Sequence, residues 1–144
     1  MNLRDSLNRY YYDTTVSDLR QLSRTGGGEL SYNSIMYLDV ISYQEQAGGC
    51  TVSTLAETLR ISRSAATLKV GELEKLGLVR KTRSETDRRV SYLSLTELVT
   101  SRLAAYDRPF ERAGRLVEER FTPAEIEIFC AILNTFTDEY IKDF

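Results

Sequence analysis

The 144 residues match the size of one domain, and 42% apolar content with mixed charge describes a globular chain rather than a disordered one. Histidine is absent and the two cysteines stand 80 positions apart, so Ser-His-Asp and Cys-His catalysis are excluded by composition, and structural zinc or a disulfide framework is not expected. The net charge of −2 conceals a division: Arg60 to Tyr92 holds nine Lys/Arg against four Asp/Glu, +5, and the remainder holds ten against seventeen, −7. A basic module on an acidic body is the electrostatic footprint of a nucleic-acid binder, with a merely solvated hairpin as the plainer alternative. No run approaches the roughly 18 apolar residues of a membrane helix and no signal peptide opens the chain, so a cytoplasmic protein without membrane contact is expected.

Residues 3–23 read as a helix with Leu3, Leu7, Tyr10, Tyr11 and Thr14 on one side and Tyr12, Val16 and Leu19 on another. That apolar surface is broader than one core-facing stripe requires, as in a helix held between two subunits. Arg24 to Glu29 is a glycine-rich loop, with neither the lysine nor the preceding strand of a phosphate loop. Ser31 caps a helix to about Gln46, with Ile35, Met36, Leu38, Val40 and Tyr43 expected in the core, and Ala47-Gly48-Gly49 breaks it. Cys50 to Val52 suits a short strand, and Cys50, after two glycines, is a candidate for exposure.

Thr51 to Arg60 predicts a short helix with Leu55, Ala56 and Leu59 inward, followed by a tight turn at Ile61-Ser62. Ser62 is a good N-cap for the next helix, whose apolar stripe is Ala66, Val70, Leu73 and Leu76, and Gly77 supplies the left-handed residue that ends it. Gly71 inside it costs about 1 kcal/mol of helix propensity. Its opposite face carries Arg63, Ser64, Thr67 and, to one side, Lys69, the hydroxyls and cations that reach base edges and phosphates in a major groove. Two β-rich runs, 79–83 and 88–95, flank Ser84-Glu85-Thr86-Asp87 and read as a hairpin with a cationic tip. Helix, turn, helix, hairpin is the order of a winged helix-turn-helix.

Thr96 starts a long helix in which Val99, Leu103, Tyr106, Phe110, Ala113 and Val117 alternate at spacings of four and three, a heptad seam that predicts helix pairing. Pro109 predicts a kink or a restart within it. Phe121-Thr122-Pro123-Ala124-Glu125 combines a cap, a first-turn proline and a capping box. The last helix is expected to bury Ile126, Phe129, Cys130, Leu133, Phe136 and Tyr140.

Residues 55–96, LAETLRISRSAATLKVGELEKLGLVRKTRSETDRRVSYLSLT, resemble the core of the MarR (multiple antibiotic resistance regulator) family. The resemblance rests on Leu55-Ala56-Glu57, on Ser62 and Ser64 opening a helix, on Leu73-Glu74 with Gly77-Leu78-Val79, on Asp87-Arg88-Arg89, and on Leu95-Thr96. It implies a single, mainly α domain over 1–144 with a small β-wing. Residues 30–98 would form the DNA-binding lobe, and 1–24 with 96–144 a helical dimerisation lobe. Ser62, Arg63, Ser64, Thr67 and Lys69 would then face DNA from the recognition helix, and Arg83, Asp87, Arg88 and Arg89 from the wing. Arg89 would enter the minor groove with Asp87 as its local partner, while Arg83 and Arg88 would meet phosphates. Dimerisation would use Leu7, Tyr11, Val99, Leu103, Tyr106, Phe110, Phe129, Leu133 and Phe136. The expected activity is transcription regulation without an enzyme, cofactor or metal: a homodimeric repressor on an inverted-repeat operator in double-stranded DNA, relieved by a small aromatic or anionic effector. The rival reading is a winged-helix module that binds protein instead of DNA.

Overall fold

Hydroxyl side chains start the helices that matter most here, and they do so where the sequence places them. The computed structural model describes residues 1–24 and 30–144, in two compact units, Met1–Thr96 and Glu97–Phe144. The glycine-rich stretch 25–29 lies outside the described residues.

The first unit opens with α1 (Leu3–Arg24) and α2 (Tyr32–Gln46), the latter capped by Ser31, whose hydroxyl accepts from the Ser34 N–H at 3.1 Å. A two-residue strand β1 (Cys50–Thr51) leads directly into α3 (Val52–Leu59). There Thr51 and Thr54 cap each other reciprocally: each hydroxyl accepts from the other's backbone N–H, at 3.0 and 2.9 Å. Arg60 turns the chain in a left-handed conformation, φ 52°, which lets the Ile61 N–H donate to the Ala56 carbonyl at 3.1 Å. Ser62 then caps α4 (Arg63–Lys75), accepting from the Ala65 N–H at 3.1 Å. Gly77, φ 71°, reverses direction, and the Leu78 N–H donates to the Leu73 carbonyl at 3.0 Å as Leu78 folds into the core. Strands β2 (Val79–Arg83) and β3 (Ser91–Leu95) close the wing in an antiparallel sheet of order β1-β3-β2, with Leu93 opposite both Cys50 and Lys81. Thr96 fastens the end of β3, donating from its N–H to the Leu78 carbonyl and from its hydroxyl to the Gly77 carbonyl.

The core of this unit differs in detail from expectation. Ala66, Val70 and Leu73 are fully buried as the stripe predicts, but α4 ends at Lys75 and leaves Leu76 exposed as its C-cap. On α2 the buried residues are Ser34, Leu38 and Ile41, one face at spacings of four and three, so Met36 and Tyr43 on other faces are exposed. The cysteines exchange roles. Cys50 is 0% exposed because the sheet holds it opposite Leu93, whereas Cys130 is exposed in the single chain. Burial pushes the Cys50 thiol above its usual range; the Glu45 charge adds to this and a hydrogen bond with Thr54 opposes it. Little thiolate is therefore available at neutral pH. In a Cys130→Ala chain, a thiol reagent is expected to label Cys50 only as fast as the fold opens, and rapid labelling in native buffer would contradict this.

The second unit contains α5 (Glu97–Arg120), α6 (Pro123–Tyr140) and a short 3₁₀ turn (Ile141–Asp143). Helix α5 runs through Pro109 without the restart the proline suggested. The ring removes one donor, and a helix of 24 residues tolerates the single missing bond. The capping box is in place: the Thr122 hydroxyl accepts from the Glu125 N–H at 3.3 Å, and Glu125 Oε2 accepts from the Thr122 N–H and from the Thr122 hydroxyl at 2.8 Å each, two bonds that hold the carboxyl below its usual range. On α6 only Ile126 is partly covered. Phe129, Cys130, Leu133, Phe136 and Tyr140, expected in a core, are exposed within one chain. Phe136 stacks on Tyr140 at 5.8 Å and Tyr140 leans on Phe144 at 5.3 Å, an aromatic ladder along the helix end. Among the described residues no helix is long and apolar enough to cross a membrane.

Candidate nucleic-acid interface

The outward face of α4 and the wing converge on one cleft. Thr51, Val52 and Ser53 at the start of α3, Arg63 and Thr67 on α4, and Lys81, Asp87, Arg89, Val90 and Ser91 on the wing line an open space of about 620 Å³. Of the residues singled out in the sequence, Arg63, Thr67, Asp87 and Arg89 therefore share one site. Ser62 and Ser64 are exposed in the first turn of α4, but the Ser62 hydroxyl is engaged as the cap. Arg83 and Arg88 are exposed at the outer wing, outside the lining of this cleft.

Lys69 does not join them. Its ammonium donates to Ser34 Oγ at 3.0 Å, lies 3.7 Å from Glu72 Oε2 and sits 5.5 Å from the centre of the Tyr37 ring, so it faces α2. Its position beside the outward face in the helix wheel gave no warning, because its acceptor Ser34 lies 35 residues away on another helix. Six cleft residues were missed as well: Thr51, Val52, Ser53, Lys81, Val90 and Ser91. Thr51 and Ser53 reach it because β1 turns straight into α3. Lys81 is reached by strand register, and its ammonium pairs with Glu74 of α4 at 3.2 Å, tying the wing to α4. Basic residues at alternate positions of β2 were the available signal.

The wing tip is more ordered than a run of polar residues suggests. The second strand begins at Ser91 rather than Arg88, because 84–90 is a hydrogen-bonded loop. The Ser84 N–H donates to the Val90 carbonyl at 2.9 Å, and Ser84 Oγ accepts from the Thr86 and Asp87 N–H groups at 3.3 Å each. Asp87 Oδ1 accepts from the Arg89 N–H at 3.0 Å and from Arg89 Nε at 3.3 Å, with Arg89 Nη2 at 3.5 Å from Oδ2. The same carboxylate thus shapes the loop and holds the guanidinium, while the Arg89 side chain remains 91% exposed.

With this geometry in hand, comparison with known proteins is decisive for the lobe. A sequence model of the MarR family matches residues 29–90. That stretch belongs to the MarR family. YwhA, an uncharacterized HTH-type transcriptional regulator of Bacillus subtilis, is 30% identical over 89 residues, which is 60% of this chain and 62% of YwhA. The chain thus matches about three fifths of that relative's length. Two solved structures extend the likeness over nearly the whole chain. FabT of Streptococcus pneumoniae, crystallised in complex with DNA, aligns with a TM-score of 0.64 at 22% identity over 97% of this chain and 98% of its own. A mutant of MepR from S. aureus aligns with a TM-score of 0.70 at 15% identity over the same shares. At such identities these likenesses establish the fold: mainly helical with a small three-stranded sheet, the winged helix of MarR regulators. The cleft lies between α4 and the wing.

Proposed function

We propose that the chain is a sequence-specific DNA-binding transcription regulator that acts as a homodimer, in the cytoplasm, without enzymatic activity. One observation carries the reading: Arg63 and Thr67 of α4 and Arg89 of the wing line the same open cleft, on the part of the chain with a +5 charge. A cationic groove flanked by a capped helix and an exposed arginine suits a duplex, with α4 entering the major groove and Arg89 the adjoining minor groove. FabT, a structural neighbour crystallised in complex with DNA, supports DNA as the partner. The exposed apolar residues of α1, α5 and α6 support the dimer: Tyr10, Tyr11 and Tyr12 on the first, Phe110 on the second, and Phe129, Leu133 and Phe136 on the third.

Repression relieved by an effector is the regulatory mode we favour, and among the structural neighbours AdcR of Streptococcus pyogenes is named a repressor. A cavity of about 470 Å³ between α2 and the end of α3, lined by Met36, Tyr37, Val40, Leu59 and Ile61, offers an effector an apolar bed. Asp39 at its edge is pushed above the usual carboxylate range, by burial first and by Asp18 second. A second negative charge would be unwelcome there, so the lining favours an aromatic effector over an anionic one.

A two-fold dimer reads an inverted repeat, with half-site centres about 10 bp apart. Footprinting the purified protein on the DNA upstream of its own gene is expected to protect such a repeat. Protection of a direct repeat, or of a single half-site, contradicts the dimer, and salt-insensitive binding contradicts the cationic cleft and favours a protein partner.

A further inference from the structure

Helix α4 is fastened to its own lobe mainly by Ala66, Val70 and Leu73. Apolar packing of this kind is non-directional: it keeps the helix on the core but defines its rotation and axial position only loosely. Directional ties are few. At the C-terminal end Glu74 meets Lys81 of β2. Midway along, the tie is Lys69.

The surroundings of Lys69 are specific. Its side chain is 18% exposed, and Ser34, its acceptor, is buried in the first turn of α2. An ammonium can only donate, so the Ser34 oxygen accepts from it and the Ser34 hydroxyl proton is left for Ser31 Oγ, 2.9 Å away. Ser31 in turn accepts from the Ser34 N–H as the cap of α2. One chain of hydrogen bonds therefore runs from the middle of α4 to the cap of α2, with the Tyr37 ring and Glu72 beside the cation. A cation near a helix N-terminus opposes the helix dipole, and the first turn of α2 contains no acidic residue to offset it. Electrostatic stabilisation of α2 does not account for the placement. Fixing one helix against the other does, a use of buried charge that favours a unique arrangement more than net stability.

We propose that Lys69 is a positioning residue for DNA recognition: without touching DNA, it sets the orientation of α4 on α2 through Ser34 and Tyr37. This rests on the DNA-binding reading above. Orientation matters for base edges, which require side chains placed to fractions of an ångström, and hardly at all for phosphates met by flexible arginines. Loss of the tie therefore lowers the preference for the operator and leaves general affinity for DNA unchanged.

The test is a set of binding isotherms at several salt concentrations on the footprinted operator and on a scrambled duplex, for wild type, Lys69→Met, Lys69→Arg, Ser34→Ala and Arg83→Ala, with circular dichroism to confirm folding. Lys69→Met is expected to weaken operator binding about tenfold, the loss of one hydrogen bond to a charged group, with scrambled binding and both salt slopes unchanged. Lys69→Arg restores most of the preference. Ser34→Ala, which keeps the charge and removes the acceptor, reproduces the defect in part, and this variant carries the test if Lys69→Met folds poorly. Arg83→Ala, the phosphate control, lowers the slope by about 1. A slope reduced by about 1 in Lys69→Met makes Lys69 a phosphate contact and overturns the proposal, as does operator binding unaffected by both Lys69→Met and Ser34→Ala. A wild type that does not distinguish the operator from the scrambled duplex overturns the DNA-binding reading itself, a result separable from the other two.

Discussion

Arg89→Ala is expected to weaken operator binding by about 1–3 kcal/mol and to flatten the preference for A·T pairs flanking each half-site. The narrow minor groove at A·T-rich steps is strongly negative and draws in arginine by shape and potential. An arginine with a 91% exposed side chain at a hairpin tip would lose much side-chain freedom on docking. Asp87 reduces that loss beforehand, holding Nε at 3.3 Å and Nη2 at 3.5 Å. As a stabiliser of the fold such an exposed pair contributes under about 1 kcal/mol, too little to explain a carboxylate placed where phosphates approach. Asp87→Ala should therefore reduce affinity even though it makes the wing more positive. Because Asp87 also accepts from the Arg89 backbone, Asp87→Asn separates the two roles: it keeps an acceptor for the loop and loses the charge that orients the guanidinium. Isotherms on specific and scrambled duplexes decide the matter, and tighter operator binding by Asp87→Ala would mean that simple charge outweighs preorganisation.

The other large effect concerns the exposed apolar faces of α5 and α6. At micromolar concentration the chain is expected to sediment as a dimer, and Phe129→Asp with Phe136→Asp to abolish it. Each ring removed from water in an interface contributes on the order of 1.5–3 kcal/mol, and a carboxylate in its place adds a desolvation penalty. Phe110 is 77% and Phe129 59% exposed in one chain, a pattern that a monomeric protein rarely keeps over a contiguous surface. Leu103, half-buried already, is different. Leu103→Asp is expected to give a poorly folded chain rather than a stable monomer, because the same helix completes its own unit. A wild-type monomer at micromolar concentration would contradict the dimer.

Local chemistry was legible in the sequence wherever the signal and its partner lie within one turn. Ser62 and Gly77 bound α4, Thr122 with Glu125 opens α6, and Asp87 finds Arg89 two residues on. Readings that depended on what lies across the fold fared worse. Cys50 follows two glycines and looked exposed, yet strand pairing with β3 seals it; Cys130 sits on an apolar stripe, yet that stripe is uncovered in a single chain. Lys69 occupies a plausible groove-facing position and is claimed by a serine on another helix. Helical periodicity states which residues share a face. It does not state what that face meets.

The sheet order β1-β3-β2 leaves β2 as an edge strand, and its sequence, Val79-Arg80-Lys81-Thr82-Arg83, has a cation at three of five positions, with Val79 alone buried. An open edge is a template on which a second strand can pair, and charge on it is a standard protection against aggregation. On the DNA-binding reading, cations that would bring the wing to a polyanion would also keep it from joining the wing of another molecule. On that reading, affinity for DNA and colloidal stability would be coupled through the same three side chains, so a variant stripped of them to prevent binding would also lose its defence against self-association, and high salt, which screens both, would bring out the second loss along with the first.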